Sequence, residues 1–172
     1  MCTAMVGTSF GRKLRSALAL GLLGATLLVP SPSFAGPKAP LGYASLSRDK
    51  VYLREGPTYR HRVLWVYRRK GLPVRVLSKY DVWRRVEMPD GAAGWLHNTM
   101  LSDARTALIT AKKPAPLREQ AAADAKILAL AAPGVIAKLE ACQVQACEVT
   151  ADGVTGWVDK KNIWGVSAGD TF

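Results

Sequence analysis

Short alternations of apolar and polar residues, four or five positions long, recur along the chain. Turn residues cut them roughly every 8 to 12 positions, the rhythm of small all-β domains. Val51-Tyr52-Leu53-Arg54 alternates and stops at Gly56-Pro57. Val63 to Tyr67, Val74 to Leu77, Trp83 to Glu87 and Ala93 to His97 read as four further strands. Between the last two, Pro89-Asp90-Gly91 predicts a turn, since proline presets φ and glycine accepts positive φ. Ahead of them, Gly36-Pro37-Lys38-Ala39-Pro40 holds neither a ladder nor a helix and reads as a linker.

The second half repeats the first. Leu53-Arg54-Glu55 returns as Leu117-Arg118-Glu119, 64 residues on. Gly71 with its apolar run returns as Gly134 followed by Val135 to Leu139. Gly94-Trp95-Leu96 returns as Gly156-Trp157-Val158, 62 residues on, again just after an Asp-Gly pair, Asp152-Gly153. Constant order and near-constant offset indicate a tandem duplication, with the boundary near Asp103-Ala104-Arg105. The alanine-rich stretch Ala121 to Ala131 suggests a helix by composition alone. In the repeat frame it lies opposite Pro57 to Tyr67, which predicts a loop and then a strand at Ile127 to Leu130. A domain of about 60 residues buries only about 60% of its unfolded surface, so each copy needs further support.

The first 35 residues carry a different pattern. Arg12, Lys13 and Arg15 precede the uncharged run Ala17 to Val29, which Pro30-Ser31-Pro32 breaks, and Ser33-Phe34-Ala35 supplies small residues for cleavage. This is the three-part signature of a secretory signal peptide. A membrane anchor is the other reading, but 13 apolar residues fall short of the roughly 20 that span a bilayer. A mature chain starting at Gly36 would hold 21 basic and 13 acidic residues. The excess is uneven, with 13 basic against 6 acidic residues from Gly36 to Asp103 but 8 against 7 from Ala104 to Phe172. A basic first half implies an anionic partner or surface, or else an excess that only maintains solubility. Export removes nucleic acid from the choices and leaves head groups, wall carboxylates and acidic polymers. It also leaves Cys142 and Cys147 as the mature pair, four residues between them, which suits a structural disulfide across a hairpin. A thiol-redox site prefers two intervening residues at a helix start.

Taken together, Tyr52-Leu53-Arg54-Glu55-Gly56-Pro57, Val63-Leu64, Gly71-Leu72-Pro73-Val74, Trp83-Arg84-Arg85-Val86, Asp90-Gly91 and Gly94-Trp95-Leu96-His97 resemble the bacterial SH3-like (SH3b) domain family. Trp65 to Val74 resembles more narrowly the exported tandem SH3-like proteins of Gram-negative bacteria. The second copy is degenerate: it lacks the Gly-Pro after its first strand and has Ala146 where the first has Trp83. The resemblance implies an all-β chain of two small, partly open five-stranded barrels behind a cleaved signal peptide. Residues 1–35 would be the leader, 36–44 a linker, 45–103 the first SH3-like domain and 104–172 the second. Gly94 and Gly156 would sit where strands cross tightly, because a Cβ there would obstruct the neighbouring backbone.

The resemblance also implies a recognition module rather than a catalyst. SH3-type grooves hold extended peptides on rigid aromatic rings, which give contact area at little entropic cost. The candidates for ligand binding are Tyr59 in the long loop, Trp83, Trp95, Tyr67 and Arg54. For each ring the plainer alternative is core packing, and for Arg54 a structural ion pair. Arg68-Arg69-Lys70, placed at a hairpin turn, is the candidate contact for an anionic surface; a solvated loop is its plainer reading. His61 and His97 have no partner that sequence can show, no His/Cys/Asp group has metal-ligand spacing, and glycine-rich phosphate loops are absent. The expectation is a periplasmic, non-enzymatic protein without cofactor or metal, binding cell-wall peptide or glycan. An interaction scaffold or accessory subunit of an envelope enzyme is the alternative.

Overall fold

A computed structural model of the chain describes residues 40–172. The expected leader and cleavage point lie outside the described residues. Strands β1 (Gly42–Leu46), β2 (Val51–Arg54), β3 (Val63–Tyr67), β4 (Pro73–Tyr80), β5 (Trp83–Glu87), β6 (Ala93–His97) and β7 (Leu101–Ser102) form one sheet. Strands β8 (Thr106–Ile109), β9 (Ala115–Arg118), β10 (Ile127–Ala131), β11 (Ile136–Cys142), β12 (Ala146–Ala151), β13 (Val154–Asp159) and β14 (Ile163–Trp164) form another. The first runs β3-β2-β6-β5-β4-β1-β7 and the second β10-β9-β13-β12-β11-β8-β14, the same order with each number raised by seven. Neither sheet closes on itself. All pairings are antiparallel.

Each copy therefore has seven strands, not the five expected. The five read from the alternation are β2 to β6. β1 has little signal of its own, because Gly42, Ala44 and Ser45 are small and Tyr43 is its one large side chain before Leu46, and its order comes from backbone pairing with β4. Residues 42–44, expected as the end of a linker, thus belong to the sheet. β7 is too short to show a period. The stretch from Ala121 to Ala131 holds no helix, and β10 begins at Ile127 as the repeat frame predicts.

Alternation places the cores. Val51 and Leu53 of β2 point inward, with Tyr52 outward, and join Leu46, Val74, Val86 and Leu96 in the first core. Leu117, Leu139, Val149 and Val158 do the same in the second. Burying one such side chain stabilises by about 1.5–3 kcal/mol. The strands bend through irregularities at matching places, between Val76 and Ser78 in β4 and between Leu139 and Ala141 in β11. A bulge there adds twist and lets each of these strands, the longest of its sheet, bend as it pairs on both edges. Asp152 and Gly153 both take positive φ, 48° and 81°, as a two-residue hairpin loop requires. Cys142 and Cys147, directly opposite on β11 and β12, form the expected disulfide with Cα atoms 4.1 Å apart.

The two sheets belong to one compact unit. Thr106 Oγ1 donates to Gly71 O at 2.7 Å, Tyr43 Oη to Val166 O at 3.2 Å, and the Tyr43 and Trp164 rings meet edge to face at 5.4 Å. Leu108 and Ile136 of the second sheet pack against the first core. Gly165 passes through this junction at φ 117°, where a Cβ would come within 2.5 Å of Thr106 O.

Candidate functional site: an aromatic, basic cleft on the first sheet

The same alternation that buries Val51 and Leu53 turns Tyr52 and Arg54 outward. Past β2 the chain makes a long loop, closed at its base by Glu55 N–H donating to Arg62 O at 3.1 Å. An exposed Arg62–Glu55 ion pair lies across it and contributes little. The loop is held from inside by Arg54, whose Nη1 donates to Tyr59 O at 3.1 Å and His61 O at 2.9 Å. Gly56 is buried because the His61 ring lies where a Cβ would project. These bonds fix Tyr59, 66% exposed, beside the barrel wall.

There Tyr59 joins two side chains from other strands. Trp83 and His97 are opposite one another on β5 and β6. The Tyr59 ring meets Trp83 at 5.0 Å, edge-on, and stacks on His97 at 5.7 Å; Trp83 and His97 are 5.4 Å apart, edge-on. The Arg54 guanidinium lies 5.4 Å above the Tyr59 ring. Thr99 N–H points at His97 Nδ1 (3.4 Å) and Thr99 Oγ1 lies 2.8 Å from it. With Nδ1 accepting from Thr99 N–H, Nε2 is the ring nitrogen left to face the cleft as a donor. The three rings, with Tyr52, Lys50 and Arg48, line a cleft of about 550 Å³. No carboxylate lines it. A hollow of similar size at Leu41, Tyr43 and Lys79 contains one ring.

Of the expected binding residues, the fold brings together Tyr59, Trp83 and Arg54. Arg54 bonds carbonyls rather than a neighbouring acid. Trp95 stands outside the cleft: its partners are Tyr80, 6.4 Å away edge to face, and the paired Arg54 and Arg85 backbones. Tyr67 is also elsewhere. Its hydroxyl donates to Asp90 at 2.9 Å and lines a separate hollow of about 340 Å³ with Arg69 and Leu108. Burial, then the bond to Asp90 and that carboxylate's charge, raises the Tyr67 pKa well above the ordinary tyrosine value. Arg68, Arg69 and Lys70 are exposed, but the turn is not a hairpin, because β3 and β4 are separated by three strands. The segment is a crossover, and Arg69 Nη2 donates to Gly134 O at 2.6 Å, tying the two copies together.

His97, Arg48 and Lys50 were not foreseen in the cleft. His97 follows Trp95 by two residues and so shares its face of β6, a visible signal, but its meeting with Tyr59 depends on strand order. Arg48 and Lys50 arrive through the β1–β2 turn, and β1 itself was not read. Among the described residues, no group of three or more His, Cys, Asp or Glu is placed to hold a metal.

The second copy keeps the frame and lacks the rings. Arg118 Nε donates to Ala123 O at 3.1 Å, as Arg54 does to Tyr59 O, and Glu119 N–H donates to Lys126 O, as Glu55 does to Arg62 O. Ala123 stands at the place of Tyr59. Ala146 and Asp159, opposite one another, stand where Trp83 and His97 do.

The model of the family described as bacterial SH3 domain matches residues 47–103 and again 111–165. The chain belongs to the bacterial SH3 domain family. The matches run from β2 to β7 and from β9 to β14, one within each sheet, so the duplicated unit is an SH3 domain. Among curated proteins, none matches the chain. Solved structures with similarity include NlpC2 from Trichomonas vaginalis, at 10% identity and TM-score 0.34 over 73% of this chain and 48% of that one. An NlpC/P60 family protein from Bacillus cereus is similar at 14% identity and TM-score 0.33, over 72% and 56%. NlpC1 from Trichomonas vaginalis is similar at 12% and 0.34, over 81% and 49%. The chain spans about half the length of these structures.

Proposed function

We propose that this chain is an exported, non-catalytic binding module of the cell envelope, holding cell-wall peptide or glycan in the groove of its first SH3 domain. Bacterial SH3 domains are cell-wall binding modules. The carrying observation is the contrast between the copies. The loop-holding arginine is kept in both, and the second copy even has cations, Lys112 and Lys113, at the turn matching Arg48 and Lys50, while the Tyr59–Trp83–His97 cluster occurs in the first alone. Rings that can carry the body of an extended chain, beside Arg48 and Lys50 that can pair its negative or polar groups and with no carboxylate among them, suit such a ligand. The Cys142–Cys147 disulfide supports an oxidising compartment such as the periplasm. Among the described residues no helix is long and apolar enough to cross a membrane. Arg68 and Lys70, exposed on the crossover, would add contact with an anionic surface.

Sedimentation with purified peptidoglycan tests the reading. The disulfide-bonded protein should pellet with the wall, and Tyr59→Ala should weaken this about tenfold while leaving the melting temperature unchanged, because Tyr59 is mostly exposed. Trp83 is only 6% exposed, so a Trp83→Ala variant should weaken pelleting further and lower the melting temperature as well. Protein that stays in the supernatant would exclude wall binding. That result would favour the second reading, an interaction scaffold or accessory subunit, which the exposed apolar Ile127, Leu128 and Leu130 of edge strand β10 support.

A further inference from the structure

The cleft is chemically polarised along β2. Lys50, Tyr52 and Arg54 succeed one another at every second position, and a strand rises about 3.4 Å per residue, so Lys50 and Arg54 stand roughly 14 Å apart. At the Arg54 end the positive charge is already engaged: Nη1 bonds two carbonyls and the guanidinium covers Tyr59. At the Lys50 end it is not. Lys50 Nζ lies 5.2 Å over the Tyr52 ring, Arg48 is exposed beside it, and neither is in an ion pair among the described residues. Asp49, between them in sequence, pairs with neither and does not line the cleft. His97, with Nδ1 taken by Thr99, has Nε2–H as its remaining polar group, framed by the Tyr59 and Trp83 rings.

Resting on the groove reading above, we infer that this site selects an extended peptide carrying a free carboxylate, received by Arg48 and Lys50, with His97 Nε2–H donating to a carbonyl of the same chain. Two cations converging on a cleft without an acid favour an anion. A neutral glycan would cover them without pairing either charge, leaving their desolvation uncompensated. A carboxylate forms charge-assisted hydrogen bonds with both, and the ring faces accept the remainder of the chain without demanding a particular side chain. The second copy has Lys112 and Lys113 at the matching turn, but Ala123, Ala146 and Asp159 stand where the rings do, so its cations have no aromatic floor beside them.

Titration calorimetry of the whole disulfide-bonded protein separates this inference from the groove reading itself. The probe is the stem-type tetrapeptide L-Ala-D-Glu-L-Lys-D-Ala, as the free acid and with both carboxylates converted to carboxamides. The acid should bind at least about tenfold more tightly, as a charged hydrogen bond commands, and the gap should narrow as salt is raised. Arg48→Gln with Lys50→Gln should abolish the gap and leave amide affinity unchanged. Tyr59→Ala should weaken both forms. Equal binding of acid and amide by the wild type, alongside normal pelleting with peptidoglycan, would overturn the carboxylate inference and leave the groove standing. Failure of both peptides and of pelleting would bring down the two together.

Discussion

An added methyl group at Gly94 has nowhere to go. Its Cβ would lie 2.7 Å from Arg54 O and from Leu53 Cγ, one a backbone atom of the adjoining strand and the other in the core. Gly156 has the same place in the second copy, but its nearest neighbours, Leu117 Cβ and Arg118 O, are 3.0 and 3.1 Å away. Gly94→Ala should therefore cost about 1–3 kcal/mol, in the range of other overpacked sites. Gly156→Ala should cost measurably less in the same urea titration, and an equal or inverse ranking would contradict the packing described. Because Arg54 holds the loop that bears Tyr59, strain at Gly94 should also reach the groove.

At the scale of elements, the β11–β12 hairpin differs from β4–β5 in how its open end is held. In the first copy Tyr80 and Trp83 flank a two-residue turn with Asp81 at φ 48°. In the second, Cys142 and Cys147 flank a longer loop, and the disulfide joins the strands where large rings are missing. Both sulfur-bearing residues are buried in the second core. Constraining so short a loop in the unfolded chain stabilises by about 2 kcal/mol. Cys142→Ser with Cys147→Ser should lower stability by about that amount in urea unfolding and leave peptidoglycan binding intact, since the groove is in the other copy. Much of this was legible beforehand: the cysteine pair, the Asp-Gly turns and all of β2 to β6 have local signals. β1, β7, β8 and β14 had none, being short or built from small residues whose order comes only from their partners.

For the molecule as a whole, the junction matters more than either sheet's own size. Leu108 and Ile136 complete the first core from the second copy, and Thr106, Arg69 and Tyr43 bond across. Two domains of about 60 residues, each marginal alone, share apolar surface in this way. Tryptophan fluorescence and far-ultraviolet circular dichroism should thus report one coincident urea transition for both copies. Two resolved transitions would show that the junction does not couple them. What sequence alone determined were the properties written in local periods: the alternation of inward and outward residues, the turn glycines, the duplication and the disulfide. A period of two says which face a side chain takes, but not which strand lies beside it. Only the sheet order β3-β2-β6-β5 could bring Tyr59, Trp83 and His97 together, send Tyr67 to Asp90 and leave Trp95 with Tyr80, because residues far apart in the chain become neighbours through backbone pairing.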